Sequence, residues 1–230
     1  MLYRSILHNS EDFSSFPITQ PYKGISSDDL PDKFTISVPG YVDPKRRDYE
    51  LVYRVFKQIR DITKKKIRLK LLGMPIKKKG IRVLNKIRQL ANENLEIETF
   101  EKRLNHEEYY KEMTTSHILL SPMSINTKVL FFKAVYGQTK VSGIEDDIVR
   151  FQKSVILPEN YHHSQHVKQL VLKYKNESEL CELLLKLINN EIGILYPEEI
   201  LKLFFDNEHY SLEWAINNFK KIVPQYNYVK

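Results

Sequence analysis

Phe34-Thr35-Ile36-Ser37-Val38-Pro39-Gly40-Tyr41-Val42-Asp43-Pro44-Lys45-Arg46-Arg47 is the stretch that decides the fold. Its first five residues alternate apolar and polar, as a half-buried strand does, and stop at Pro39-Gly40. Asp43-Pro44 then supplies an N-cap with proline at the first helical position, so a helix is expected from there. Val52, Val55, Phe56, Ile59 and Ile62 fall on one face of that helix, with Arg54, Lys57, Arg60 and Lys64 elsewhere on its surface.

The alternation continues outward from this unit. Ile67 to Leu72 reads as a second strand ending at Gly73, and Ile81, Leu84, Ile87 and Ala91 mark a second helix. Leu95 to Phe100 gives a third strand, Asn105 caps a short helix carrying Tyr109 and Met113, and His117 to Leu120 gives a fourth. An irregular stretch follows. Ser142-Gly143 then precedes a short helical run, Val155-Ile156-Leu157 closes at Pro158, and Val167 to Tyr174 holds one more short strand. Asn176 with Glu179 resembles a capping box opening the helix of Leu180, Leu183, Leu184 and Leu187, and two more helices are expected near 198–205 and 212–222. Strand-helix alternation of this kind predicts an α/β fold, a doubly wound parallel sheet that is Rossmann-like, with a C-terminal helical extension. The expected division is a linker or docking arm over 1–32, the sheet domain over 33–190 and C-terminal helices over 191–230.

The chain has 230 residues, 42% of them hydrophobic, enough for a sizeable core. Lys and Arg number 36 against 29 Asp and Glu, a formal charge of +7, which points to anionic partners. A single cysteine, Cys181, cannot close an internal disulfide, and the opening residues lack the apolar core of a signal peptide, so a cytoplasmic setting is expected. Cys181 lies among leucines and reads as a buried, inert thiol.

In an open parallel sheet, ligands bind beyond the carboxyl ends of the strands. The loop after the first strand offers Gly40, whose bareness allows close backbone approach, and Arg46 and Arg47 at the expected helix start, where guanidinium forks and free helix N–H groups suit a phosphate. Tyr136-Gly137-Gln138-Thr139-Lys140-Val141-Ser142-Gly143-Ile144-Glu145-Asp146-Asp147 offers glycines, hydroxyls and a lysine before a short helix, a cradle for phosphate with carboxylates for ribose hydroxyls. Its glycine spacing fits neither the dinucleotide fingerprint nor a Walker loop.

Phe34 to Tyr174 resembles the C-terminal, nucleotide-sugar-binding domain of GT-B glycosyltransferases in the large retaining family of bacterial polysaccharide and lipopolysaccharide enzymes. The resemblance rests on the order of marks: Val-Pro-Gly-Tyr-Val-Asp-Pro-Lys-Arg-Arg, Leu-Leu-Gly-Met-Pro, Phe100 to Leu104, His-Ile-Leu-Leu-Ser-Pro, and Ser154 to Glu159. It implies that Arg46 or Arg47 grips a donor diphosphate and that Lys102, Arg103 and Leu104 line the base. It further implies that Gly137, Thr139, Ser142 and Gly143 place amides on phosphate and sugar, and that Asp147, or Glu145 in another register, holds the ribose. Two departures stand out. Thr139 or Tyr136 occupies the place of the family's first motif glutamate, and Gln152-Lys153-Ser154 replaces its Gly-x-Pro turn.

The implied reaction is transfer of a sugar from a nucleoside-diphosphate sugar to a hydroxyl acceptor, a glycan or lipid-linked glycan. No metal or other cofactor is required, and Arg46, Arg47 and Lys140 neutralise the leaving diphosphate. The acceptor half would come from an N-terminal Rossmann domain in cis or in a partner, with possible peripheral contact at the inner face of a membrane. A noncatalytic nucleotide-sugar-binding or interaction module is the alternative. Lysine runs 64–66 and 77–79 read as solvated loop clusters or as a basic surface for nucleic acid or anionic lipid; a basic nucleic-acid-binding module is the lesser alternative, since the runs lack interleaved aromatics and a nucleic-acid motif. His162, His163 and His166 lack a further ligand at metal spacing.

Overall fold

The computed structural model describes residues 21–22, 24–129, 132–136 and 142–205. In chain order these form β1 (Phe34–Val38), α1 (Tyr49–Ile62), β2 (Ile67–Leu71), α2 (Lys77–Arg88), β3 (Leu95–Thr99), α3 (His106–Thr114) and β4 (Ile118–Leu120). There follow β5 (Asn126–Val129), β6 (Phe132–Val135), α4 (Ile144–Phe151), β7 (Val155–Pro158), β8 (Val171–Tyr174), α5 (Glu177–Ile188) and α6 (Pro197–Phe205). The expected helix near 212–222 lies outside the described residues.

Six strands form one sheet in the order β3-β2-β1-β4-β7-β8, and every neighbouring pair is parallel. The inner strands β4 and β7 are apolar runs buried on both faces, as a parallel sheet between two helical layers favours, while β1 and β2 alternate and bury Thr35, Ser37 and Lys70 on one face. Ile118, Leu120 and Ile156 join the core under α1, α2 and α5; Leu119, Val155 and Leu157 join the core under α3 and α4. Val52, Val55, Phe56 and Ile59 of α1 are fully buried in the first core, each contributing roughly 1.5–3 kcal/mol of transfer free energy. Ile200 of α6 is buried in the second core, and Glu198 accepts from the Ser27 N–H and from the hydroxyls of Ser26 and Ser27.

Several local expectations are corrected. The first helix begins at Tyr49, not Pro44: Asp43 to Arg47 makes one turn, and Asp48 is the cap, accepting from the Leu51 N–H at 2.9 Å. Ile62 is 61% exposed and Ile81 49%, and Ala91 lies beyond α2 on the surface, whose buried stripe is Gly80, Leu84 and Ile87. The irregular stretch after β4 contains an antiparallel hairpin, β5 with β6, in the register Asn126↔Val135. Only residues 171–174 of the last expected strand are extended; 165–170 is a 3-10 turn. Lys77, Lys78 and Lys79 are not a loop but the opening of α2.

Where the turn after α4 lacks its glycine, Gln152 takes the left-handed conformation itself, φ +50°, and its N–H closes onto Ile148 O. Its side-chain amide donates to Tyr22 O at 2.7 Å, tying the arm to the turn. Lys153 is buried and donates to Thr114 O at the end of α3, beside the buried pair of Lys70 with Glu112 at 2.6 Å. Burial lowers the Lys153 pKa to about 8.

Candidate donor-binding site

The sheet order reverses between β1 and β4, so the loops leaving these two strands part and open a crevice at their carboxyl ends. Both loops are tied together close to the sheet. Arg47 pairs with Met123 in an isolated antiparallel bridge, the Asp48 N–H donates to Pro122 O at 2.7 Å, and the Ser124 N–H donates to Arg46 O at 3.0 Å. This stitching explains why the helix starts late: the arginines are held against the β4 loop before the chain turns into α1.

Arg46 and Arg47 therefore sit in the turn preceding α1, not on its first turn. The Arg46 Nε donates to the Tyr136 hydroxyl at 2.9 Å, and its guanidinium lies 5.9 Å from that ring's centroid. Arg47 folds back over the strand end, donating from Nη1 to Tyr41 O at 3.1 Å. Gly40 has φ +80°, and a methyl there would lie 2.7 Å from Arg47 Nη2. The bareness of Gly40 thus makes room for the Arg47 guanidinium, where the sequence suggested a ligand. Tyr49 is buried beneath, its hydroxyl on Tyr41 O at 3.3 Å and its pKa pushed up to about 12 by burial.

Two polar atoms at this crevice are buried without a hydrogen-bond partner, Arg47 Nε and Ser121 Oγ. Ser121 directly follows β4, and its N–H is already used, donating to Ile156 O at 3.0 Å. Buried polar groups are almost always paired, and an orphan costs about 1–3 kcal/mol; Arg47 Nε and Ser121 Oγ lie on the two loops that leave β1 and β4, while Gln152 Oε1 is orphaned in the turn after α4. The sequence reading passed over Ser121. Its signal was a hydroxyl immediately after an apolar strand, at the position where α/β sheets bind ligands.

On the other side of the crevice, Gly143 precedes α4 and has no side chain to cap it, and a methyl there would meet nothing within 4 Å. Ser142 Oγ accepts from the Ile144 N–H at 3.3 Å. Asp147 is half-buried and accepts from the Tyr109 hydroxyl at 3.4 Å. Burial, then the Asp146 charge, raises the Asp147 pKa to about 7, while Arg150 and Arg47 oppose the rise. Arg47 also acts on Tyr109, whose pKa is raised chiefly by burial. The Arg47 charge thus acts on both members of the Tyr109–Asp147 pair.

Other expected residues are dispersed. Glu145 is committed to structure, accepting from the Tyr161 hydroxyl at 3.0 Å and the Ser164 N–H at 3.2 Å. Lys102 and Arg103 are exposed in the loop after edge strand β3, two strands or about 10 Å from β1, and Leu104 packs into the second core. Gly137, Thr139 and Lys140 lie outside the described residues. His163 Nδ1 bonds Ser164 O at 2.9 Å, and among the described residues no three metal-ligating side chains converge. A separate open groove, between α1 and α5 and lined by Gln58, Glu177 and Cys181, stands away from the strand ends; burial raises the Cys181 thiol pKa.

No protein-family model and no curated protein matches the sequence significantly. Solved structures do match the fold. The C-terminal domain of LpcC, a group 1 family glycosyl transferase from Francisella tularensis, superposes with a TM-score of 0.52 at 11% identity, over 84% of this chain and 97% of that one. This is the fold of a GT-B C-terminal domain. A glycosyltransferase from Rickettsia africae matches with a TM-score of 0.54 at 12% identity, over 87% of this chain and 50% of that one. TarM matches with a TM-score of 0.53 at 12% identity, over 89% of this chain. The chain spans 36% of TarM and half of the Rickettsia protein, so the GT-B domain here corresponds to one part of each. No described helix is long and apolar enough to cross a membrane.

Proposed function

We propose that the domain binds the diphosphate of a nucleoside-diphosphate sugar and forms the donor half of a glycosyltransferase. The observation that carries this reading is the pair of orphaned atoms, Arg47 Nε and Ser121 Oγ, at the point where the strand order reverses. Arg47, with Arg46 beside it, supplies positive charge to the phosphates, Gly143 and the first turn of α4 supply N–H groups, and Asp147 accepts from ribose hydroxyls. In the reaction the anomeric carbon–oxygen bond to the diphosphate breaks, a bond to the acceptor hydroxyl oxygen forms, and the hydroxyl proton passes to the departing diphosphate oxygen. Arg46, Arg47 and Lys140 stabilise the departing charge without calling on a metal. A glycan or lipid-linked acceptor enters from a second Rossmann domain, in the same polypeptide or a partner.

A noncatalytic nucleotide-sugar-binding module is the second reading, favoured by one observation: the Arg46 side chain is held by the Tyr136 phenol, at a place where the resembling family has a glutamate in one register. Both readings require donor binding. Calorimetry of the chain with UDP, GDP, ADP and CMP is expected to show saturable binding of one nucleoside diphosphate, weakened roughly 10- to 100-fold by Arg47→Ala. Unchanged affinity in that variant, or binding only to RNA with a steep salt dependence, defeats the proposal.

A further inference from the structure

The outer face of α2 is a second basic surface, joined to the crevice through the Tyr41 loop. The helix sequence Lys77 to Arg88 contains six cations and no acidic residue. Its buried stripe, Gly80, Leu84 and Ile87, leaves Lys78, Ile81, Arg82, Asn85 and Lys79 facing solvent on the opposite side. Lys86 is taken by Glu50 and lies over the Tyr53 ring, and Arg88 pairs with Glu101. Lys77, Lys78, Lys79 and Arg82 enter none of the ion pairs among the described residues. Three lysines on a first helical turn also oppose the helix dipole, so local stability does not account for them.

Apolar surface accompanies these charges. Ile81 is 49% exposed in their midst and Tyr41 is 37% exposed. Met74, Pro75 and Ile76, half-buried, form the loop into α2, joined to the Tyr41 loop by the Val42 N–H on Met74 O at 3.1 Å. We propose that this face docks on an anionic membrane surface, with Lys77, Lys78, Lys79 and Arg82 among the lipid headgroups and Ile81 at the acyl boundary. Charge complementarity selects the headgroups, and the aliphatic side chain at the centre selects a lipid surface over nucleic acid, whose bases ask for aromatic platforms. The proposal goes beyond donor binding and does not depend on it.

The test is co-sedimentation of the full chain with vesicles of phosphatidylcholine containing about one-third phosphatidylglycerol, against pure phosphatidylcholine and a short RNA. Binding to the anionic vesicles alone, falling with salt, is expected. Lys78→Gln with Arg82→Gln should weaken it about 30-fold, from two charges near the surface. Ile81→Asn should weaken it several-fold while leaving the salt dependence intact. These are exposed positions, and an unchanged circular dichroism melt establishes that each variant is folded. Equal binding to neutral vesicles, preference for RNA, or an equal loss on replacing Lys64 and Lys66 by Gln would each overturn the assignment.

Discussion

Ser121→Ala should move stability and ligand affinity in opposite directions. In the unliganded protein Ser121 Oγ is out of contact with solvent and unpaired, a state that costs about 1–3 kcal/mol. Alanine removes the hydroxyl and leaves a void of a single small atom. The net gain is taken at the low end, about 1 kcal/mol, which for a chain of 230 residues raises Tm by about 2–4 °C. Binding responds with the other sign. A hydroxyl that donates to a phosphate oxygen makes a hydrogen bond to a charged group, about 1.5–3 kcal/mol, so diphosphate affinity should fall roughly 10- to 100-fold. Urea or thermal melts without ligand, followed by calorimetry with the nucleoside diphosphate the wild type binds, read both quantities. A lower melting midpoint would show that the hydroxyl has a partner in solution. A higher midpoint with unaltered affinity would show that it does not meet the ligand. Either result refutes the reading of Ser121 as a residue whose function is set against its stability.

Gly40→Ala forces an alanine to φ +80° and places its methyl 2.7 Å from Arg47 Nη2, so a loss of about 1–2 kcal/mol in a urea melt is expected, with diphosphate affinity dropping as far as in Arg47→Ala. Lys153 has a folded pKa of about 8 against an ordinary 10.5, so the unfolded chain binds this proton more tightly between those values. Stability should therefore rise by up to about 3 kcal/mol as pH climbs through that window, a rise absent in Lys153→Met when melts at the two ends are compared. For Asp147 the sign is opposite: with its pKa raised to about 7, the half-buried carboxylate costs stability increasingly from about pH 4 to 7. Asp147→Asn should accordingly raise Tm at pH 8 and leave it unchanged at pH 4, as differential scanning fluorimetry can establish.

The parallel sheet was legible because each of its strands carries its own local signature. Phe34 to Val38, Ile67 to Leu71 and Leu95 to Thr99 alternate, and they end at glycine, proline or a charged loop. The start of α1 was not legible. Asp43 and Asp48 are both competent caps, and the choice falls to Asp48 because its N–H binds Pro122 O and Arg47 bridges Met123, contacts from a strand far along the chain. The hairpin of β5 and β6 was missed because Val129-Leu130-Phe131-Phe132 offers no alternation and no turn residue. Ile81 was read as core by its spacing to Leu84, but Gly80 brings the backbone of α2 close to Val42 O and so turns Ile81 outward. Of the candidate site, the arginines and Asp147 could be named from sequence. That Ser121 would be buried without a partner depends on the crossing of two loops, which no local pattern records.

Tyr136 bears on what such a crevice can do. A carboxylate at the end of the Arg46 side chain would hold the guanidinium and also cancel its charge. The phenol holds it at 2.9 Å while remaining neutral, its own ring almost wholly buried. Arg46 thus keeps its full positive charge, and with the Arg47 guanidinium held over Gly40 it makes a crevice that is more electropositive than one with an acid in that place. That arrangement favours the free nucleoside diphosphate, whose unesterified terminal phosphate carries about one more negative charge than the same phosphate in the nucleotide sugar. A donor-binding preference measured as the ratio of affinities for the free nucleoside diphosphate and the intact nucleotide sugar should therefore be large, and Tyr136→Glu should reduce it by weakening the diphosphate. An equal reduction for both ligands in that variant would mean that Tyr136 serves the packing beneath the loops and not the charge of the site.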